Sequence, residues 1–138
     1  MSKVIVRVKV GMAGVHYDFS SEKVNNDWLV RHSILTNARV CIWSRDGVCN
    51  FRTEEFPPFS SEEDIRARLI GRIAVSVHWD ATEPAIRVML DDSSVLELRP
   101  APEDKRQYLG IYYYPEGRGD WRLTEGFVVT LGKVSRAG

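Results

Sequence analysis

Two His-x-Asp triplets are the residues of this chain whose types and spacing most directly suggest chemistry. They are His16-Tyr17-Asp18 and His78-Trp79-Asp80, and they contain two of the three histidines among 138 residues. Each triplet lies in a segment of alternating apolar and polar residues, which predicts a β-strand with the aromatic residue inward and both polar residues on the opposite face. If the two strands lie close together, one imidazole can act as a base and the other as an acid on a bound phosphate.

This arrangement resembles the two-histidine phosphoesterase family, in which two His-x-Ser/Thr motifs on strands converge on a phosphodiester. The resemblance covers six residues and implies a small enzyme that uses His16 and His78. Asp18 and Asp80 stand where the family has a hydroxyl residue, and a carboxylate repels a phosphate. The alternative is that both histidines are solvent-facing strand residues. No further metal ligand has diagnostic spacing, so we expect neither a metal ion nor a cofactor.

Hydrophobic periodicity predicts the elements that must position these residues. Residues 3–19 predict a hairpin, and residues 72–99 predict three strands of an antiparallel meander, with a turn at residues 91–94. On the first meander strand, period-two alternation places Ile73 on the same face as three residues of the predicted core. The predicted core residues are Trp43, Phe51, Val75, Val77 and Trp79.

A further hairpin is predicted over residues 39–53. A three-residue turn with Gly47 in the left-handed conformation pairs residues whose numbers sum to 92, which places both cysteines on the core-facing side. In this register Cys49 lies opposite Trp43, and Cys41 lies opposite Phe51. We therefore expect two reduced core thiols, with a disulfide between these diagonal neighbours as the alternative.

One short helix is predicted at about 61–70. Ser60 and Glu63 have the spacing of a capping box, Ile65 and Leu69 share a face, and Gly71 can end the helix. Residues 20–35 are ambiguous, because they fit either a helix or a strand. The sequence predicts an α+β fold of mostly antiparallel strands, possibly two packed sheets, in a single domain over 1–138.

Composition points to an ordinary globular protein, with 43% hydrophobic and 28% charged residues. No apolar run has the length of a membrane span. The first strand alternates Lys3, Arg7 and Lys9 with valines, unlike a signal peptide. We therefore expect a cytoplasmic protein that does not associate with membranes.

Charge is unevenly distributed although the net charge is zero. Residues 1–53 carry 8 basic and 4 acidic groups (+4), residues 54–104 carry 5 and 12 (−7), and residues 105–138 carry 6 and 3 (+3). A neutral total argues against nucleic-acid binding, whereas an acidic segment can attract a basic protein partner. The alternative is a solvated acidic surface. The candidate partner-binding acidic residues are Glu54, Glu55, Glu62, Glu63, Asp64, Asp91 and Asp92.

A tyrosine-rich strand near residues 108–114 provides a second candidate surface. Tyr112, Tyr114, Arg118 and Trp121 are of the residue types enriched at binding hot spots. The alternative is a strand whose tyrosines cover the edge of the core.

The segment from Leu69 to Arg99 resembles small bacterial immunity proteins and related uncharacterised domains. The shared pattern is a glycine, an alternating strand, a short turn, and a strand that ends in an Asp-rich turn before Val-x-Leu. The resemblance implies a non-enzymatic inhibitor that occludes a partner's active site, commonly with acidic residues against a basic cleft. A phage-encoded antagonist of a host protein would have the same features. The oligomeric state is left open.

Overall fold

Within the residues that the structure describes, the chain forms an 11-stranded antiparallel sheet, a two-stranded sheet and one α-helix, so the predicted α+β, mainly β fold is confirmed. The computed structural model describes residues 3–12, 14–55, 57–80, 82–100, 107–113, 122–130 and 133–136. The strands are β1 Lys3–Gly11, β2 Gly14–Ser20, β3 Glu22–Val24, β4 Asp27–Leu29, β5 His32–Thr36, β6 Arg39–Trp43, β7 Cys49–Arg52, β8 Ile73–Asp80, β9 Ala85–Leu90, β10 Val95–Arg99, β11 Gln107–Tyr113, β12 Arg122–Thr130 and β13 Lys133–Arg136. Helix α1 is Glu62–Leu69, preceded by a 3-10 turn at Phe59–Ser61.

The large sheet curls back on itself. Its strand order is β13-β12-β11-β5-β2-β1-β8-β9-β10-β6-β7, so five strands separate β5 from β6. Only Asn37 and Ala38 connect these two strands in the chain, and three Cα steps span at most about 11 Å. The sheet must therefore bend until β6 approaches β5. One apolar core cluster lies inside the bend and includes Ile34 from β5 and Val40 from β6.

Helix α1 lies along β1, where β8 no longer covers it. β8 pairs with β1 only at Lys3 and Val4, and α1 contacts β1 over its length. Ile65 and Leu69 are fully buried, as the sequence predicts. Gly71 ends the helix with φ +87°, the left-handed conformation that glycine adopts readily.

The predicted capping box is not formed. The N-cap is Ser61, which makes no side-chain capping bond. The Ser60 N–H instead donates to Glu55 Oε1 at 2.8 Å, and the Ser60 hydroxyl lies 3.1 Å from the same oxygen. Because the 3-10 turn occupies the predicted cap, the helix begins one residue later than the motif indicates.

A β-bulge in β8 makes part of the predicted core wrong. Ala74 pairs with Leu90 but Ser76 pairs with Met89, so Val75 is an extra residue in the strand. The bulge reverses the alternation. Ala74 is therefore buried, Val75 is 41% exposed, and Val77 and Trp79 are half-buried.

A second bulge alters the predicted β6–β7 register. Trp43 pairs with Cys49 around the predicted turn, in which Gly47 has φ +81°, but Cys41 pairs with Arg52 and not with Phe51. Val40 and Ile42 are the buried residues of β6, while Trp43 and Phe51 are half-buried. Cys41 is half-buried and Cys49 is exposed, and both are free. The expectation of two reduced thiols is met, but their assignment to the core is wrong.

The remaining predicted hairpins form as expected. Val15, Tyr17 and Phe19 are the buried face of β2. The turn at residues 91–94 connects β9 to β10, and Asp92 Oδ1 accepts the N–H of Ser94 at 3.0 Å. This bond satisfies a turn amide that has no sheet partner, which is why aspartate suits the position.

Candidate functional site

His16 and His78 lie at opposite ends of the sheet, and both are exposed. His16 pairs with Lys9 of β1, whereas β8 meets β1 at the Lys3–Ala74 pair and runs away from the Lys9 end. The six residues from Lys3 to Lys9 alone span about 20 Å in a strand. The structure therefore does not bring the two imidazoles to one phosphate.

The aspartates of the two triplets have structural partners. Asp18 Oδ1 accepts a hydrogen bond from the hydroxyl of Ser33 at 2.5 Å. Asp80 Oδ1 accepts the N–H and the hydroxyl of Thr82 at 2.9 and 2.7 Å, and Asp80 Oδ2 lies 3.7 Å from Arg87. The hydrogen bonds from Thr82 lower the pKa of Asp80 below its ordinary value. Both carboxylates organise a turn or a strand pair.

A network of charges covers the outer face of β9 and β10. Arg87 Nε donates to Glu97 Oε2 at 2.9 Å, and Arg99 lies 3.3 Å from the same oxygen. Glu83 pairs with both arginines. Burial opposes ionisation of Glu97, but hydrogen bonds from Arg99 and Arg87 outweigh it and keep its pKa below the ordinary value. Each charge in this network faces an opposite one.

The acidic residues near α1 also bond to their own chain. Glu62 Oε2 accepts the N–H of Val10 at 2.7 Å, and Glu55 accepts the N–H of Ser60. Glu63 lies 3.8 Å from Arg66, but its side chain is 89% exposed. Asp64 is exposed as well.

The other predicted acidic residues form ion pairs elsewhere. Glu54 lies 2.8 Å from Arg52 and 3.7 Å from Arg39. Asp91 and Asp92 are in the β9–β10 turn, 3.9 and 3.3 Å from Arg72, which follows the far end of α1. Of the predicted acidic surface, Glu63 and Asp64 are therefore the carboxylates most available to a partner.

The tyrosine-rich strand is β11. Tyr112 is half-buried, and its ring lies over Gly110, where an added Cβ would come within 2.9 Å of the ring. The Tyr113 ring lies 5.1 Å from the His32 ring, between centroids. The predicted contributions of Tyr114, Arg118 and Trp121 lie outside the described residues.

The ambiguous residues 20–35 form strands, and the tip of this segment is a hairpin that stands out from the sheet. We call residues 22–29 the projecting hairpin; it consists of β3 and β4 joined by Asn25 and Asn26. These two residues have φ of 52° and 68°, as a type I′ turn requires. Residues 21–28 are all exposed. The Asn-Asn pair between apolar residues was the signal in the sequence that could have located this hairpin.

Cross-strand contacts order the projecting hairpin. Lys23 Nζ lies 4.6 Å from the centroid of the Trp28 ring, which is a cation–π geometry. At the base, the Ser20 hydroxyl lies 2.5 Å from the carbonyl oxygen of Leu29. Val24 and Trp28 remain 52% and 40% exposed. The hairpin thus holds two large apolar side chains in water at fixed positions.

An apolar cavity of about 220 Å³ lies at the base of the projecting hairpin. It occupies the gap beyond the start of β1, where β8 separates from β2 and β5. Phe19 and His32 line it from positions close to either end of the hairpin. The lining residues are Lys3, Phe19, His32, Ser33, Ile34, Ala74, Val77, Trp79 and Ile111.

His32 brings an unsatisfied polar atom to this cavity. Its Nδ1 is buried and has no hydrogen-bond partner within the described part of the chain. Burial lowers the pKa of His32, and the positive charges of Lys3 and Arg31 lower it further. The imidazole is therefore neutral at pH 7, with one nitrogen free to bond to a guest molecule. Sequence reasoning gave no weight to this third histidine, because His32 belongs to no motif.

Among the described residues, no cluster of three or more histidine, cysteine, aspartate or glutamate side chains could hold a metal ion. The helices in this part of the chain are too short and too polar to cross a membrane. Comparisons of the chain with protein-family models, with curated proteins and with solved structures find no match.

Proposed function

We propose that this protein is a non-enzymatic inhibitor, of the immunity or antagonist type, that binds a partner protein by inserting the projecting hairpin into a cleft. The observation that carries the proposal is the pair of exposed apolar side chains, Val24 and Trp28, on an ordered tip. Trp residues are enriched at hot spots, where a few side chains supply most of the binding energy. Burial of both side chains in a cleft would remove them from water.

Order at the tip favours tight binding. The two positive-φ residues Asn25 and Asn26 and the contact between Lys23 and Trp28 fix the hairpin before it meets a partner. A preordered element loses less conformational entropy on association than a flexible loop. Three residues per strand extend the hairpin by about 10 Å, which is enough to enter an active-site cleft.

Electrostatics supplies the second part of the proposal. Glu63 and Asp64 are exposed carboxylates at the start of α1. A basic partner would be attracted to them, and this attraction raises the association rate more than the final affinity. The enzymatic alternative has less support, because His16 and His78 lie at opposite ends of the sheet.

The test uses a photo-crosslinking amino acid in place of Val24 in the expressed full chain. The matched control carries it at Val48, which is 59% exposed in the β6–β7 turn. We expect a defined protein to be captured at position 24 and not at position 48. Equal capture at both positions, or none, would overturn the assignment of the hairpin as the interface.

Affinity for the captured protein, once purified, provides the decisive measurement. We expect Trp28→Ala to weaken binding by tenfold or more, as truncation of a hot-spot residue does. Met12→Ala, at an exposed turn of the β1–β2 hairpin, is the control and should bind normally. The captured protein should also lose activity when the wild-type chain binds. Unchanged activity at saturation would exclude an inhibitor.

A further inference from the structure

The cavity beneath the projecting hairpin has the composition of a ligand site. Its walls are mostly aliphatic and aromatic, with Phe19, Val77 and Trp79 from two strands that separate where β1 begins. Pockets for small molecules combine such walls with a few polar groups that fix orientation. The polar groups here are Lys3 and His32.

These two polar groups favour an anion. Lys3 lines the cavity and makes none of the ion pairs found among the described residues, all of which involve arginine on the basic side. His32 Nδ1 is buried without a partner, and an unsatisfied buried polar atom is uncommon in native structures. A carboxylate can accept hydrogen bonds from both the ammonium and the imidazole.

We infer that this cavity is a binding site for a small apolar carboxylic acid, with its hydrocarbon part between Phe19 and Trp79 and its carboxylate toward Lys3 and His32. The volume is about 220 Å³. A cavity of about 150 Å³ holds benzene, so this one suits an aromatic or aliphatic acid of about ten non-hydrogen atoms. The site is separate from the interface of the proposed inhibitor, so either assignment can fail alone.

The first experiment titrates the purified full chain with octanoate and follows the backbone amide signals by two-dimensional NMR. Octanol is the matched probe without charge. We expect saturable shifts at residues around Ala74 and Val77 with octanoate, and weaker binding of octanol. No shift at these residues up to the solubility of octanoate would overturn the inference. Equal affinity for the two probes would overturn the role of the charged groups.

Two pairs of variants locate the site. Val77→Phe should fill the cavity and abolish octanoate binding, whereas Met89→Phe, at an exposed position of the neighbouring strand, should bind normally. Lys3→Gln should weaken octanoate about fivefold and leave octanol unchanged. Binding that survives Val77→Phe in a variant with a wild-type circular dichroism spectrum would place octanoate elsewhere and refute the site.

Discussion

Glu62 Oε2 accepts a hydrogen bond from the backbone N–H of Val10 at 2.7 Å, across 52 positions of sequence. The bond ties the first turn of α1 to the part of β1 that β8 leaves uncovered. A strand N–H that has no sheet partner costs free energy if it is buried unsatisfied. Glu62 is thus part of the scaffold, although sequence reasoning places it in a binding surface.

Glu62→Gln should lower the free energy of unfolding by about 1 kcal/mol, because the substitution replaces a charge-assisted acceptor by a neutral one. Glu63→Gln is the control. Since the Glu63 side chain is 89% exposed, its substitution should change stability by less than about 0.5 kcal/mol. Urea unfolding measures both. Equal effects would mean that the Val10 bond contributes nothing.

The bulge in β8 predicts opposite outcomes for two neighbouring substitutions. Ala74→Asp should destabilise the fold by more than about 4 kcal/mol, because Ala74 is 2% exposed and the new carboxylate would be buried without a partner. Val75→Asp should cost less than about 1 kcal/mol, because Val75 is 41% exposed. Thermal unfolding distinguishes them. The reverse order would show that the strand has no bulge.

The two thiols should react at different rates. Cys49 is exposed. Burial raises the pKa of Cys41, and the neighbouring Cys49 and Glu97 raise it further, so Cys41 has less of the reactive thiolate at pH 8. A chromogenic disulfide reagent should titrate two thiols in denatured protein and show a fast and a slow phase in native protein. Cys49→Ser should remove the fast phase.

Glu97 should contribute to pH-dependent stability. Its pKa in the folded protein lies below the ordinary value of 4.5 because Arg99 and Arg87 outweigh the effect of burial. Its stabilising contribution is therefore complete above the unfolded pKa and is lost as pH falls through the folded one. Glu97→Gln should destabilise the protein at pH 7 by about 2 kcal/mol, and by less at pH 3. Unfolding curves at both pH values provide the measurement, and an effect that does not shrink at pH 3 would contradict this role.

Tyr17→Phe should leave stability unchanged or raise it. The Tyr17 hydroxyl is buried and has no hydrogen-bond partner among the described residues, and burial raises the pKa of the phenol. Removing the oxygen ends the desolvation cost and leaves the ring in the core. A loss of more than about 1 kcal/mol in calorimetry would reveal a bond to a buried water.

The sequence was sufficient to predict elements whose local chemistry and burial agree. The residues of the β9–β10 hairpin alternate without interruption, and Asp92 stabilises its turn, so the predicted bounds are met. The face of α1 follows from the spacing of Ile65 and Leu69. Both cases depend on contacts within one short segment.

Bulges and tertiary contacts explain the failures. The extra residue at Val75 is specified by how β8 fits β9, which no period along one strand reveals. The acidic residues look alike in sequence, but Val10 and Arg72 engage some of them and leave Glu63 and Asp64 exposed. The cavity has no motif at all, because it arises where β8 separates from β2 and β5 beyond the start of β1.

The short Asn37–Ala38 link has a consequence for the order of synthesis. It holds β6 near β5, but the sheet neighbours that connect the two halves, β8 to β10, are translated only later. A nascent chain that has emerged up to Thr53 therefore carries two hairpins with open edges, on β1 and on β6. Open edges invite pairing with other chains. The sheet becomes continuous only when the ribosome has passed Arg99, so protection from aggregation is needed over this interval.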